Sequence, residues 1–215
     1  MRTLTLLLLA VSVNLFGQDT KKKTVSNDYP PYKETFYVLK SDQETKHGEY
    51  KKTYGGLSIK GQFDNNKKVG VWEYYDRNGQ LEQKIDFSAN KVVSTKPMTL
   101  IKDYFVKDGD SFKDVVPEET PVFQGGQSGI IYYIWNLRYP ADARRMGTEG
   151  KVLISATITQ DGKMIDEEIL DGPGNGLKEE ALRVIQMIPD EWMPGKVDGK
   201  TTDIKIVIPV IFKLG

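Results

Sequence analysis

The side chains able to do chemistry are few and scattered. Four acidic residues stand in two adjacent pairs, Glu167–Glu168 and Glu179–Glu180. General acid–base catalysis needs carboxyls that converge on one site. Neighbours in sequence point to opposite faces of a strand and diverge around a helix. Both pairs therefore read as solvated charge, and the second also as favourable charge at a helix start. His47 is the single histidine, in KHGEY, and the equivalent position one repeat later is Val69. A position served equally by valine reads as structural. Ser128 sits in GQSG, which is not the G-x-S-x-G nucleophile elbow. Asp161 belongs to a turn. WMPGKVDGK, residues 192–200, is glycine-rich but lacks the Walker spacing and opens no helix, so turn chemistry explains it. There is no cysteine. That excludes disulfides, thiolate catalysis, cysteine-bound metal and a lipobox anchor. The chain reads as no enzyme, with no cofactor and no metal.

The chemistry that remains belongs to the backbone. The chain ends in IKIVIPVIFKLG. Period-two alternation puts Ile204, Ile206, Ile208, Val210, Phe212 and Leu214 on one face, the expected core face. Lys205, Val207, Pro209, Ile211 and Lys213 fall on the other. Pro209 cannot donate to a ladder, so it marks an edge strand or a bulge. An edge strand is a row of unpaired amides and carbonyls that can template another chain. Two readings follow from the residues. Either the edge docks an extended peptide by strand addition, or Pro209 and the lysines merely blunt it.

The elements around that strand form a small α+β unit over residues 121–215. In QSGIIYYIWNLRYP, Ile130, Ile134 and Leu137 lie on one helical face, with Ile131 and Trp135 beside it. Pro140 stops that helix and opens a second, PADARRM, which Gly147 ends. Val152, Ile154, Ala156 and Ile158 alternate in a strand, and QDGK turns the chain at Asp161–Gly162 into the next. A third helix follows, capped at Asn175 or Gly176, with a stripe of Leu177, Ala181, Leu182, Ile185 and Ile188. Pro189 ends it. The order is helix, strand, strand, helix, strand, with the helices on a small antiparallel sheet. Trp192 reads as core packing.

Residues 36–93 repeat. Gly48 matches Gly70 and Tyr50 matches Trp72 at an offset of 22, while Leu57 matches Leu81 and Phe63 matches Phe87 at an offset of 24. Each unit is strand, glycine turn, strand, and Asn78–Gly79 supplies one turn. The units resemble MORN-like hairpin repeats. Tyr50 and Trp72 read as hairpin core. Two hairpins alone bury little and need a neighbour. Residues 18–35 and 94–120 are polar and proline-marked and read as linkers. Within the second, TLIKDYFV fits either a short strand or a helix. Residues 1–17 read as a signal peptide: Arg2, then a 13-residue apolar run over 4–16, too short to span a bilayer. Thirty basic against thirty acidic residues leave no basic surplus for nucleic acid.

A family resemblance now adds to these readings. PVFQGG at 121–126, YPADARRMGTEGKV at 139–152, LKEEALRVI at 177–185, WMPGKVDGK at 192–200 and IPVIF at 208–212 resemble, in order, the TonB C-terminal domain family. The resemblance implies a periplasmic domain that binds a short peptide of an outer-membrane transporter as an added strand. It thereby implies a partner surface formed by Ile204, Lys205, Ile206, Val207, Ile208, Pro209, Val210, Ile211 and Phe212. The full-length transducer of that family passes inner-membrane proton-motive energy through a membrane helix and a proline-rich spacer. Neither feature is evident here. The expectation is thus an exported periplasmic binding protein, with energised transmembrane transport following only if the leader stays as an inner-membrane anchor and engages the energising proteins there. The alternative is an envelope scaffold that homodimerises through the same strand.

Overall fold

The computed structural model describes residues 19–28, 31–109, 111–114 and 116–215. The predicted signal peptide, residues 1–17, lies outside them.

The N-terminal half is one antiparallel seven-stranded sheet. Its strands, in sequential order, are β1 (Thr20–Asp28), β2 (Pro31–Leu39), β3 (Lys46–Tyr54), β4 (Leu57–Asp64), β5 (Lys67–Tyr75), β6 (Leu81–Asp86) and β7 (Lys91–Thr95). Sequential hairpins need only local turns. Gly55 and Gly56 close β3–β4 with φ of 53° and 85°. At residues 76–79 the Gly79 N–H donates to Asp76 O at 3.0 Å. The repeat register puts like on like. Tyr50 and Trp72 stack at 5.1 Å, and Phe63 and Phe87 meet the Trp72 ring edge-on at 5.1 and 5.7 Å. Gly61 makes room for that indole, since a Cβ there would lie 2.2 Å from it. Trp72 is buried, and Tyr50 half-buried.

The expected linker over 18–35 instead supplies β1 and most of β2. In β1, Lys21, Lys22 and Thr24 are exposed and Thr20 and Lys23 half-buried on a two-sided polar ribbon, a pattern without the apolar alternation that betrays a strand. The second expected linker is also structured. It supplies β8 (Tyr104–Asp108) and β9 (Ser111–Asp114). TLIKDYFV, left between helix and strand by its composition, is therefore a strand in its second half, with Ile101 buried just before it.

The C-terminal half runs β10 (Val122–Phe123), α1 (Gly126–Ile134), α2 (Ala141–Met146), β11 (Gly150–Ile158), β12 (Met164–Asp171), α3 (Leu177–Ile185), β13 (Trp192–Met193), β14 (Lys196–Val197), β15 (Lys200–Thr201) and β16 (Ile204–Phe212). The main sheet has the order β12-β11-β16-β8-β9. The helix–strand–strand–helix–strand order read from the sequence is present. Gly147 caps α2 in the left-handed region, and Gly176 precedes α3. Gly162 sits against Trp192, whose carbonyl a Cβ would approach to 2.2 Å. Asp198 and Gly199, with φ of 50° and 70°, make the two-residue turn between β14 and β15. The core joins Ile154, Ala156 and Ile158 of β11 and Ile204, Ile206, Ile208 and Val210 of β16 with Ile130, Leu177, Ala181 and Ile185 of the helices. Trp192 belongs to that core. Trp135, placed beside the apolar face by its spacing, is exposed and lies under the Arg77 guanidinium, 3.3 Å from the ring centroid.

Candidate docking strand

Even-numbered residues of β16 face the core, as the alternation required. Ile204, Ile206, Ile208 and Val210 are fully buried and Phe212 nearly so. Its partner on one side is β11, over all nine residues from Gly150↔Phe212 to Ile158↔Ile204.

The other side corrects the expectation of an edge. β16 is the middle strand of five. β8 pairs with Ile204, Lys205 and Ile206 through Val106, Phe105 and Tyr104. Residues 94–120 announced no pairing with β16, because β8 has one buried side chain, Val106, and a polar flank. Sequence reasoning thus missed Tyr104, Phe105 and Val106. The only available signal was the apolar YFV triplet.

Only part of the edge is filled. Lys107 N–H donates to Asp203 O at 3.1 Å, and Val207 N–H donates to Asp103 O at 3.3 Å. In a strand, the N–H and C=O of one residue point to one side and those of the next to the other. Odd-numbered residues of β16 therefore turn their polar groups toward β8. Beyond Val207, no described strand pairs with that side. Pro209 and Ile211 aim their backbone groups into the gap. Pro209 offers a carbonyl and lacks the N–H that would have been left unmet. Ile211 offers both groups, and is 67% exposed where Val207 is 6%. The open stretch is thus residues 208–212, centred on Pro209 and Ile211.

The other edge of the sheet is less inviting. β12 carries two register irregularities against β11 and a positive φ of 55° at Asp166. Bulges and charges of this kind blunt an edge. Glu167 and Glu168 lie here, with Glu168 3.8 Å from Lys205. Glu179 and Glu180 stand in the first turn of α3, where Glu180 pairs with Arg183 at 2.7 Å and accepts from the Arg138 N–H. His47 is buried beside Asp64, with Nδ1 3.2 Å from the carboxylate. Among the described residues, no three His, Cys, Asp or Glu side chains come together as a metal site.

The N-terminal sheet is held against this unit by specific contacts. Val122 and Met193 share a core with Trp72, Tyr74 and Ile85. Gln83, fully buried, donates to Phe123 O at 3.1 Å and accepts from Gly125 N–H at 2.8 Å. Glu82 accepts from both the N–H and the hydroxyl of Ser128. Lys68 donates to Gln124 Oε1 at 2.7 Å, and burial pulls its pKa down. Ser128 is therefore an anchor between halves. The opposite sheet face, which no described residue covers, holds a trough of about 770 Å³ lined by Lys33, Lys51, Lys60, Glu49 and Glu73 among others.

The seven hairpin strands are compatible with the repeat reading of 36–93 and extend past it at both ends. Comparison with curated proteins and with solved structures gives no match. Residues 136–214 match the family described as the Gram-negative bacterial TonB protein C-terminal, and that stretch holds α2, β11, β12, α3 and β16. The C-terminal unit of this chain is thus similar to the TonB C-terminal domain over residues 136–214.

Proposed function

We propose that the protein is an exported, periplasmic binding protein that docks an extended peptide of an outer-membrane transporter by strand addition along residues 208–212. The observation that carries this reading is the unpaired side of β16, where the Pro209 carbonyl and both Ile211 groups face outward beside an exposed isoleucine. Main-chain bonds supply affinity in such docking, and flanking side chains supply selectivity. Ile204, Lys205 and Ile206 contribute by fixing the strand, and Val207 by ending the contact with β8.

A contribution to energised transport requires a tether to the inner membrane. Among the described residues, no helix is long and apolar enough to cross a membrane. Retention of residues 1–17 is what decides the matter, and the mass of the mature N-terminus measures it.

The docking test uses a photo-cross-linking residue in place of exposed Lys213, in the full chain and in the living envelope. A transporter-derived adduct that disappears with the additional change Ile211→Pro supports docking, because Ile211 carries the first free donor on the open side. An adduct with the chain's own copy establishes the homodimeric scaffold instead. No adduct, or one indifferent to Ile211→Pro, overturns strand addition at this site.

A further inference from the structure

The hairpin of β8 and β9 lies outside the residues that match the family, yet it completes the sheet on the side where a partner would add. We propose that β8 is an internal competitor for the docking strand, which a partner displaces to extend its pairing from residues 208–212 onto residues 204–207. The proposal rests on the docking reading above and concerns the regulation of the same strand.

Four observations support it. First, β8 and a partner would use the same backbone groups. The odd-numbered amides and carbonyls that face β8 up to Val207 continue in one row through Pro209 and Ile211. Second, the hold is slight. β8 pairs with three residues of β16, whereas β11 pairs with nine. Val106 is the one buried side chain of β8, and β9 adds none. Its other ties are the half-buried Tyr104 ring against the core, the backbone bonds of Lys107 to Asp203 and of Val207 to Asp103, a 3.6 Å ion pair of Lys107 with Asp203, and the Lys205 ammonium 4.9 Å over the Phe112 ring. Third, both ends of the hairpin are anchored elsewhere. Ile101 is buried in the core, and on the far side Glu118 accepts from Gly199 N–H while Glu119 pairs with Lys196. β8 can therefore leave β16 with its flanks in place. Fourth, sheet segments with few buried contacts open locally far more often than the fold unfolds.

The result is a length rule. A short partner strand fits the gap of residues 208–212 beside β8. A longer one gains more main-chain bonds only by expelling β8, so its net affinity carries the cost of that exchange.

Hydrogen exchange on the full chain tests detachment with no partner present. The amides of Lys205 and Val207 face β8, and those of Ile206 and Ile208 face β11. The first pair exchanges at least about a hundredfold faster than the second if β8 opens on its own. Equal rates overturn the proposal, since β8 would then leave only with global unfolding. Because the chain has no cysteine, Tyr104→Cys with Ile206→Cys gives a clean lock. These residues are opposed in register as a closely spaced, non-hydrogen-bonded pair. Oxidation slows Lys205 and Val207 to the rate of their neighbours, and reduction restores the difference. Should the double variant not fold, the wild-type rates still decide.

In the envelope, the oxidised lock lowers the yield of the Lys213 adduct relative to the unlocked chain. Undiminished yield means that partners take only the gap and do not displace β8, which overturns the proposal. Absence of any adduct condemns the docking reading, while the exchange rates judge detachment by themselves.

Discussion

Replacing Gln83 by leucine separates the two halves of the molecule. Gln83 is fully buried, and its amide spans to Phe123 O and Gly125 N–H at 3.1 and 2.8 Å. Leucine is close in size and keeps the strand, so packing changes little. It leaves a carbonyl and an amide of the β10–α1 junction buried without partners. Each orphaned group costs about 1–3 kcal/mol, which gives about 2–6 kcal/mol for the pair. With a urea dependence of ~3 kcal/mol/M, the unfolding midpoint falls by about 0.7–2 M. The tryptophans make the assay specific. Trp72 sits in the N-terminal core and Trp192 in the C-terminal one, and single-tryptophan backgrounds report each half. The intact chain unfolds with coincident transitions. In Gln83→Leu, the Trp72 transition moves to lower urea and parts from that of Trp192. Coincident transitions with a shift under about 0.3 M would refute the claim that this amide couples the halves.

Other outcomes follow from the same contacts. Gly61→Ala drives a methyl to 2.2 Å from the Trp72 indole. It destabilises by about 1–3 kcal/mol, read from the denaturant midpoint, and an unchanged midpoint would mean that the indole has room to move. Alkaline stability follows from the tyrosines. Burial first of all raises the pKa of Tyr50, Tyr54 and Tyr74 above the ordinary value of 10.0, and takes Tyr133 to about 12. Above pH ~10 the unfolded chain loses phenolic protons that the folded chain keeps, so stability falls as pH rises. Tyrosinate absorbance and circular dichroism should therefore change together above that pH. Full ionisation of all tyrosines with the fold intact would contradict the burial of these rings.

The fold was legible where one face is apolar. The stripe of α3, the caps at Gly147 and Gly176, and the alternation of β11 and β16 all state their period in the sequence. The aromatic repeats did the same for β3 to β6, and their need for a neighbour is met by Val122 and Met193. β1 and the first half of β2 were not legible, because a polar ribbon at the end of a sheet shows no apolar alternation. β8 and β9 were hidden for a related reason. Their pairing is set by an exposed stretch of a distant strand, and nothing in a local window encodes a partner about a hundred residues away. The docking strand itself was read correctly in facing and incorrectly in surroundings. A proline says that one N–H has no ladder partner; it does not say how far on either side of it the vacancy extends.

That distinction yields a decisive pair of substitutions. Val207 and Ile211 have the same parity on β16, so each aims its N–H to the side away from β11. Asp103 O takes up the first at 3.3 Å, and no described strand meets the second. Val207→Pro deletes a bond and disturbs β8, at a cost of about 1–2 kcal/mol. Ile211→Pro deletes a donor that has no internal acceptor, and surface changes of that kind stay within about 0.5 kcal/mol. Thermal midpoints separate the two, and peptide capture should order them in reverse. Ile211→Pro folds but fails to bind, whereas Val207→Pro loosens β8 and keeps its gap donor. If both prolines destabilise alike, β16 is paired through Ile211 and there is no open half. If both leave the fold untouched, β8 does not hold Val207. Natural Pro209 already occupies the next position of this row, two residues past the last bond to β8, where a missing N–H costs the fold no internal bond.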